Sequence, residues 1–254
     1  MIMETGLDAA VPLLPRHAAL YLDFDGTLTE FALTPEQVVI DQSLPALLAS
    51  LAAVLDGALA ILTGRQLASV DALVAPVTLA GAGLHGAELR PTPGIAMFRG
   101  EPAAVAALVR RLRARFGDDP RLLIEDKEFA VALHFRRAPH RAAECREAMR
   151  EYAPARLFDV IGGSEVIEAR PRGADKGVAL RTLANRQPFA GRLQVYVGDD
   201  QTDEDGIIAA QELGGFGIKI GRGASAARYR LPDVPAVHRW LRASLASLAG
   251  ERSG

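Results

Sequence analysis

Residues 18–29 read AALYLDFDGTLT, and the fold turns on how this stretch is parsed. Ala18 to Phe24 is apolar almost throughout, Asp23 interrupts it only near the end, and Gly26 and Thr27 follow as a turn. A run that is apolar on both alternating faces suits a strand buried from two sides, as in a parallel sheet covered by helices. Outward from it, a helix is expected over 43–55 with Ser43 as N-cap, then a buried strand over 59–63 (LAILT), then another helix after Gly64. The alternation returns toward the C-terminus with a helix over 176–185, a strand over 193–197 (LQVYV) and a strand over 217–220 (GIKI) that closes the sheet. A last helix over 234–248 carries Val237, Trp240, Leu241, Leu245 and Leu248 at helical spacing, a packing stripe. The expected class is α/β, with a doubly wound, Rossmann-like parallel-sheet core.

Residues 98–170 read differently. A helix (102–116) leads to strands 121–125 and 129–136, then a helix (139–152) and strands 156–161 and 165–169, the order αββαββ. In the strand 129–136, Phe129, Val131, Leu133 and Phe135 share one face, and Ala130, Ala132, His134 and Arg136 the other. This segment is read as a smaller α+β cap domain inserted into the core. The core then comprises 1–97 and 171–254.

The bulk numbers leave room for both units and exclude some functions. Of 254 residues, 49% are hydrophobic and 24% charged, and the net charge of −2 is not gathered into runs, so neither a nucleic-acid nor a membrane partner is expected. No apolar run approaches the roughly 20 residues of a membrane helix. The N-terminus has acidic residues and prolines where a secretory signal would be basic and then apolar, and Cys145 is the sole cysteine, so a cytoplasmic location is expected.

Chemistry collects where strands end. Asp23 ends the first strand and Asp25 lies two positions on; ligands of open α/β sheets bind beyond the carboxyl ends of strands. Thr63 ends the second strand in LTGR, Lys176 opens a helix in ADKGVAL, and Asp199 and Asp200 end a strand in VGDDQTDED. Singly these read as a cap, a surface residue and a turn; together they suit phosphoryl transfer. A phosphate dianion repels anionic nucleophiles, so positive charge and positioning carry the catalysis. A carboxylate can act as covalent nucleophile, and a second can donate and then accept the proton.

The series DFDGT, LTGR, Lys176 and GDDQTDED resembles the four motifs of the haloacid dehalogenase superfamily, mostly phosphatases. The resemblance implies Asp23 as nucleophile, Asp25 as general acid/base, and Thr63 and Lys176 as phosphate ligands. It also implies Mg²⁺ held by Asp23, Asp199 and the backbone carbonyl of Asp25, with Asp200 and Asp203 as supporting or water-mediated partners. Asp25 and Thr63 are 38 positions apart and Thr63 and Lys176 113 apart, so the cap lies between the second and third motifs, unlike phosphoglucomutase-like relatives.

The segments GLHGAEL (83–89), EDKEFAVALHFR (125–136), EVIEARP (165–171), YVGDDQTDED (196–205) and IKIGRGASAARYRL (218–231) narrow the match. With them the chain resembles the trehalose-6-phosphate phosphatase family from about Ala18 to Leu241, which implies hydrolysis of trehalose 6-phosphate to trehalose and phosphate. The implied substrate-binding positions are Glu125, Lys127 and Glu168 from the cap. To these the resemblance adds His85, Gly86, Gly64 and Arg65 from the core, and His134 and Arg136 in support. LTEF follows DFDGT where relatives often have Ser and Pro, which leaves the loop near the leaving group open. The expected partner is a small sugar phosphate and the expected state a monomer. The rival readings are a phosphatase of another sugar phosphate, such as sucrose 6-phosphate, and a silent sugar-phosphate-binding module. A receiver domain is excluded by the length and the cap.

Overall fold

The computed structural model describes residues 10–30, 38–163 and 165–250. Phe31, in the LTEF departure, lies outside them. Strand β1 (Ala18–Leu22) is buried along its whole length, as its uninterrupted apolar sequence requires. It is followed by α1 (Leu44–Val54), β2 (Leu59–Leu62), α2 (Leu67–Leu73), β3 (Ala80–Gly83), β4 (Glu88–Thr92) and β5 (Ile95–Phe98). The second half of the core contributes α5 (Lys176–Ala184), β10 (Leu193–Gly198), α6 (Glu204–Glu212), β11 (Phe216–Ile220), β12 (Tyr229–Leu231) and α7 (Val234–Gly250).

These strands form an eight-stranded sheet in the order β12-β11-β10-β1-β2-β3-β4-β5. β1 pairs in parallel with β10 on one side and β2 on the other, so the chain winds outward in both directions from β1. The carboxyl ends of β1, β2 and β10 therefore meet at the point where the strand order reverses, which is where open α/β sheets bind ligands. The doubly wound core is as expected.

Two local expectations need correction. Ser43 precedes α1, but its side chain does not cap the helix; its hydroxyl donates to Asp41 (2.7 Å) and accepts from Arg242 (2.7 Å). Nor does the strand containing GIKI close the sheet, because β12 pairs in parallel on its outer side. The short, half-buried YRL of β12 has too little alternation to declare itself in sequence.

The described residues fall into two compact units, one within 1–86, 90–96 and 175–254, the other within 87–89 and 97–174. The second unit contains α3 (Pro102–Phe116), β6 (Leu123–Asp126), β7 (Val131–His134), α4 (Ala142–Tyr152), β8 (Phe158–Gly162) and β9 (Val166–Pro171). Its antiparallel sheet runs β6-β7-β9-β8. Val131, Leu133 and Phe135 join Leu112, Phe116, Cys145, Met149, Ile167 and Ala169 in its own apolar core. No helix among the described residues is long and apolar enough to cross a membrane.

Candidate active site

β1 delivers Asp23 to the carboxyl edge of the sheet, where it is only 5% exposed. Its Oδ1 accepts from Lys176 Nζ at 2.6 Å, although the two residues are 153 positions apart. Lys176 opens α5, whose start is secured by the Asp175 carboxylate accepting from the Val178 amide at 2.6 Å. The same ammonium donates to Asp203 Oδ1 at 2.6 Å. Burial pulls the lysine's pKa down, but Asp203 and Asp23 more than offset it and hold it above the ordinary lysine value.

Asp203 is fully buried and its two oxygens are saturated. Oδ1 accepts from Lys176 and from the Tyr196 hydroxyl at 2.7 Å, and Oδ2 from the amides of Asp199 (3.0 Å) and Asp200 (2.9 Å). Burial opposes its ionisation, but Lys176 and these donors keep its pKa below the ordinary value. Asp200, by contrast, is exposed and accepts from the Gln201 amide at 2.6 Å, a turn-capping role.

Asp23, Asp199 and Asp203 each present an oxygen within 4.8 Å of the others. Three carboxylates crowd around Lys176, and Asp23 and Asp199 are left short of positive charge. Burial and then Asp203 push Asp23 well above the ordinary aspartate value, and burial, Asp203 and Asp200 push Asp199 up to about 7. A cluster of hard oxygen donors short of positive charge fits a divalent cation such as Mg²⁺. Gly26 leaves room for it to form: its φ is +80°, and a Cβ there would come within 2.4 Å of Asp199 Oδ2.

Asp25 follows on the turn, and both its oxygens are held by Arg65, Nε at 2.6 Å and the terminal nitrogen at 2.8 Å. Arg65 thus lies on the second aspartate of the first motif. Thr63 is buried at the end of β2 and its hydroxyl oxygen accepts from the Arg65 amide at 3.1 Å, which leaves the hydroxyl hydrogen available as a donor. Leu84 and His85 have φ of 50° and 54°, a strained pair for residues with side chains. Their amides donate to the carbonyls of Arg65 (2.9 Å) and Thr63 (3.0 Å), locking the two loops together. The His85 imidazole packs so closely over Gly64 that a Cβ there would lie 2.6 Å from Nε2. Gly86 completes this turn.

In the other unit, Glu125 and Glu168 both stand opposite Ala132 in register, so they share one face of the antiparallel sheet. Lys127 Nζ donates to Glu168 at 3.2 Å, and His134 Nε2 lies 2.9 Å from Glu125. Glu125, Lys127, His134 and Glu168 are therefore brought together. Arg136 pairs instead with the exposed Glu165.

Sequence reasoning missed the buried charge beside the Asp199 loop. Lys219 sits in β11 at 5% exposure and donates to the Asp199 carbonyl. A lysine inside the apolar run FGIKI was the available signal, since a buried lysine requires a partner.

The doubly wound core, with an acidic cluster fit for a metal at its switch point, suits a haloacid dehalogenase-like hydrolase. The family model for trehalose-phosphatase matches residues 21–235. The trehalose-6-phosphate phosphatase of Escherichia coli (strain K12) is 38% identical over 95% of this chain and 91% of its own length. The chain belongs to the trehalose-phosphatase family. Solved structures agree on the fold: a trehalose-6-phosphate phosphatase related protein superposes with a TM-score of 0.75 at 24% identity, covering 91% of this chain and 99% of its own. The C-terminal domain of C. albicans trehalose-6-phosphate phosphatase also gives 0.75, at 20% identity, with 96% and 99% covered.

Proposed function

We propose that this chain hydrolyses trehalose 6-phosphate to trehalose and inorganic phosphate through an aspartyl-phosphate on Asp23. The observation that carries the reading is the 2.6 Å contact between Asp23 and Lys176 inside the acidic cluster, in a chain of this family. One Asp23 oxygen attacks phosphorus as the bond to the sugar oxygen breaks, and that oxygen takes a proton from Asp25. A water molecule then attacks the same phosphorus, Asp25 accepts its proton, and the Asp23 carboxylate is restored as phosphate leaves. Arg65 grips both Asp25 oxygens and has to release one before Asp25 can pass a proton. Lys176, the Thr63 hydroxyl and the Gly64 amide supply donors for the phosphoryl oxygens as charge spreads over them.

Asp23, Asp199 and the backbone carbonyl of Asp25 would hold Mg²⁺. When bound, the ion offsets charge on the phosphoryl oxygens. Asp203, with four donors on its two oxygens, orients Lys176 and the Asp199 loop. Residues 98–170 form the cap, and the face bearing Glu125, Lys127, His134 and Glu168 reads sugar hydroxyls, with Arg136 at its margin and His85 and Gly86 contributing from the core. Carboxylates suit that task because they accept hydrogen bonds from paired hydroxyls. A cytoplasmic monomer acting on a small sugar phosphate completes the reading. Phosphate release from a panel including trehalose 6-phosphate, sucrose 6-phosphate and glucose 6-phosphate, with Mg²⁺ and with chelator, tests it. Preference for trehalose 6-phosphate with loss on chelation is expected, and equal rates across the panel would refute the substrate assignment.

A further inference from the structure

A lysine in the middle of a sheet carries a double cost, the entropy of a long side chain and the desolvation of its charge. β11 is buried at every position, Lys219 included. Its partner in register on β10 is Gly198, the residue before Asp199, so the side chain starts beside the end of β10 and its ammonium reaches the Asp199 carbonyl. The Asp199 amide is taken by Asp203 Oδ2 at 3.0 Å. Both backbone groups of this one residue are thus fixed by buried, charged side chains, Asp203 on the N–H and Lys219 on the C=O. Side-chain torsions are what remain to Asp199, and Gly26 closes against its carboxylate. On its outer side the loop borders an open cleft of about 670 Å³ lined by Asp199, Asp200, Lys219 and Arg222 among others. Without the clamp, the loop would be free to turn its carbonyl toward that solvent.

We infer that Lys219 is a positioning residue for Asp199: its ammonium fixes the Asp199 carbonyl so that the carboxylate is presented to a divalent cation in one orientation. This rests on the reading of Asp199 as a metal ligand. The sign of the effect makes the inference testable. A positive charge near a cation site repels the cation, so a lysine acting only as a charge would, when removed, tighten metal binding. A lysine acting as a clamp would, when removed, weaken it, and outer-shell partners of metal ligands are typically worth about 10- to 100-fold in affinity.

Wild type, Lys219→Met and Asp199→Ala, each stripped of metal by chelation, are titrated with Mn²⁺ while free aqueous Mn²⁺ is followed by its EPR signal. The expected result is about 10- to 100-fold weaker binding in Lys219→Met. The Mg²⁺ concentration for half-maximal aryl phosphate hydrolysis should rise by a similar factor. Unchanged or tighter Mn²⁺ binding in Lys219→Met, with Asp199→Ala still weak, overturns the clamp and leaves the metal reading standing. Wild-type binding in Asp199→Ala overturns the metal reading and the clamp with it. A lower melting temperature in Lys219→Met with unaltered Mn²⁺ affinity also overturns the inference, since it marks a role in folding alone. If the methionine variant does not fold, Lys219→Leu, which also lacks a donor, replaces it and is judged by the same outcomes.

Discussion

Asp203→Asn, studied in the metal-free protein, separates two roles for this buried acid. The amide matches the carboxylate in shape but replaces one acceptor by a donor. If its oxygen stays on the Asp199 and Asp200 amides, its NH₂ faces the Tyr196 hydroxyl and Lys176 Nζ. Tyr196 can turn its hydrogen away and accept; an ammonium cannot. The reverse flip is worse, since the NH₂ would then face two backbone N–H groups. Either way Lys176, 2% exposed, loses one of its two carboxylates. Removing one partner from a buried charged pair costs about 3–5 kcal/mol. For a chain of this size each kcal/mol moves the melting temperature by about 2–4 °C, so a fall of roughly 6–20 °C is expected, measured by circular dichroism in EDTA. A direct metal ligand predicts the opposite sign. Removing one of three crowded carboxylates would relieve repulsion with Asp23 and Asp199, and the metal-free protein would be unchanged or more stable. An unaltered or raised melting temperature therefore refutes the saturated, orienting Asp203.

Three further outcomes follow from the site and the cap. Asp199 is raised from the ordinary 3.8 to about 7, so between these values the folded metal-free protein holds a proton that the unfolded chain has released. Stability without metal should therefore fall as pH rises from about 4 to 7, with Asp23, raised in the same direction, adding to the slope. A cation has to displace the protons on Asp199 and Asp23, so Mg²⁺ affinity measured by calorimetry should climb with pH by up to about tenfold per unit for each proton released; affinity flat with pH would contradict this. In the cap, Glu125→Ala, Lys127→Ala or Glu168→Ala should lower kcat/KM for trehalose 6-phosphate by about 10- to 1000-fold, some 1.4 to 4 kcal/mol, while barely changing hydrolysis of a small aryl phosphate. Parallel losses on both substrates would assign these residues to folding or the core chemistry instead.

The sequence alone determined what is local. An unbroken apolar run followed by an acid makes AALYL a buried parallel strand and puts Asp23 at its end, and the same logic places Thr63, Lys176 and Asp199 at strand ends or a helix start. The αββαββ order of the insert is equally local, because each element carries its own period. Elements whose side chains carry no pattern escaped: AGAG of β3 is too small to show a strand preference, and YRL of β12 is too short. The tertiary structure decided how the charges divide their work. Asp199 and Asp203 are four positions apart in one acidic stretch, yet four donors converge on Asp203 while Asp199 is left short of positive charge. Arg65 meets Asp25 across 40 positions, and Lys219 meets Asp199 across 20. Such pairings depend on which strands become neighbours and how far a side chain reaches over the sheet edge. Those distances exist only after the chain has wound outward in both directions from β1.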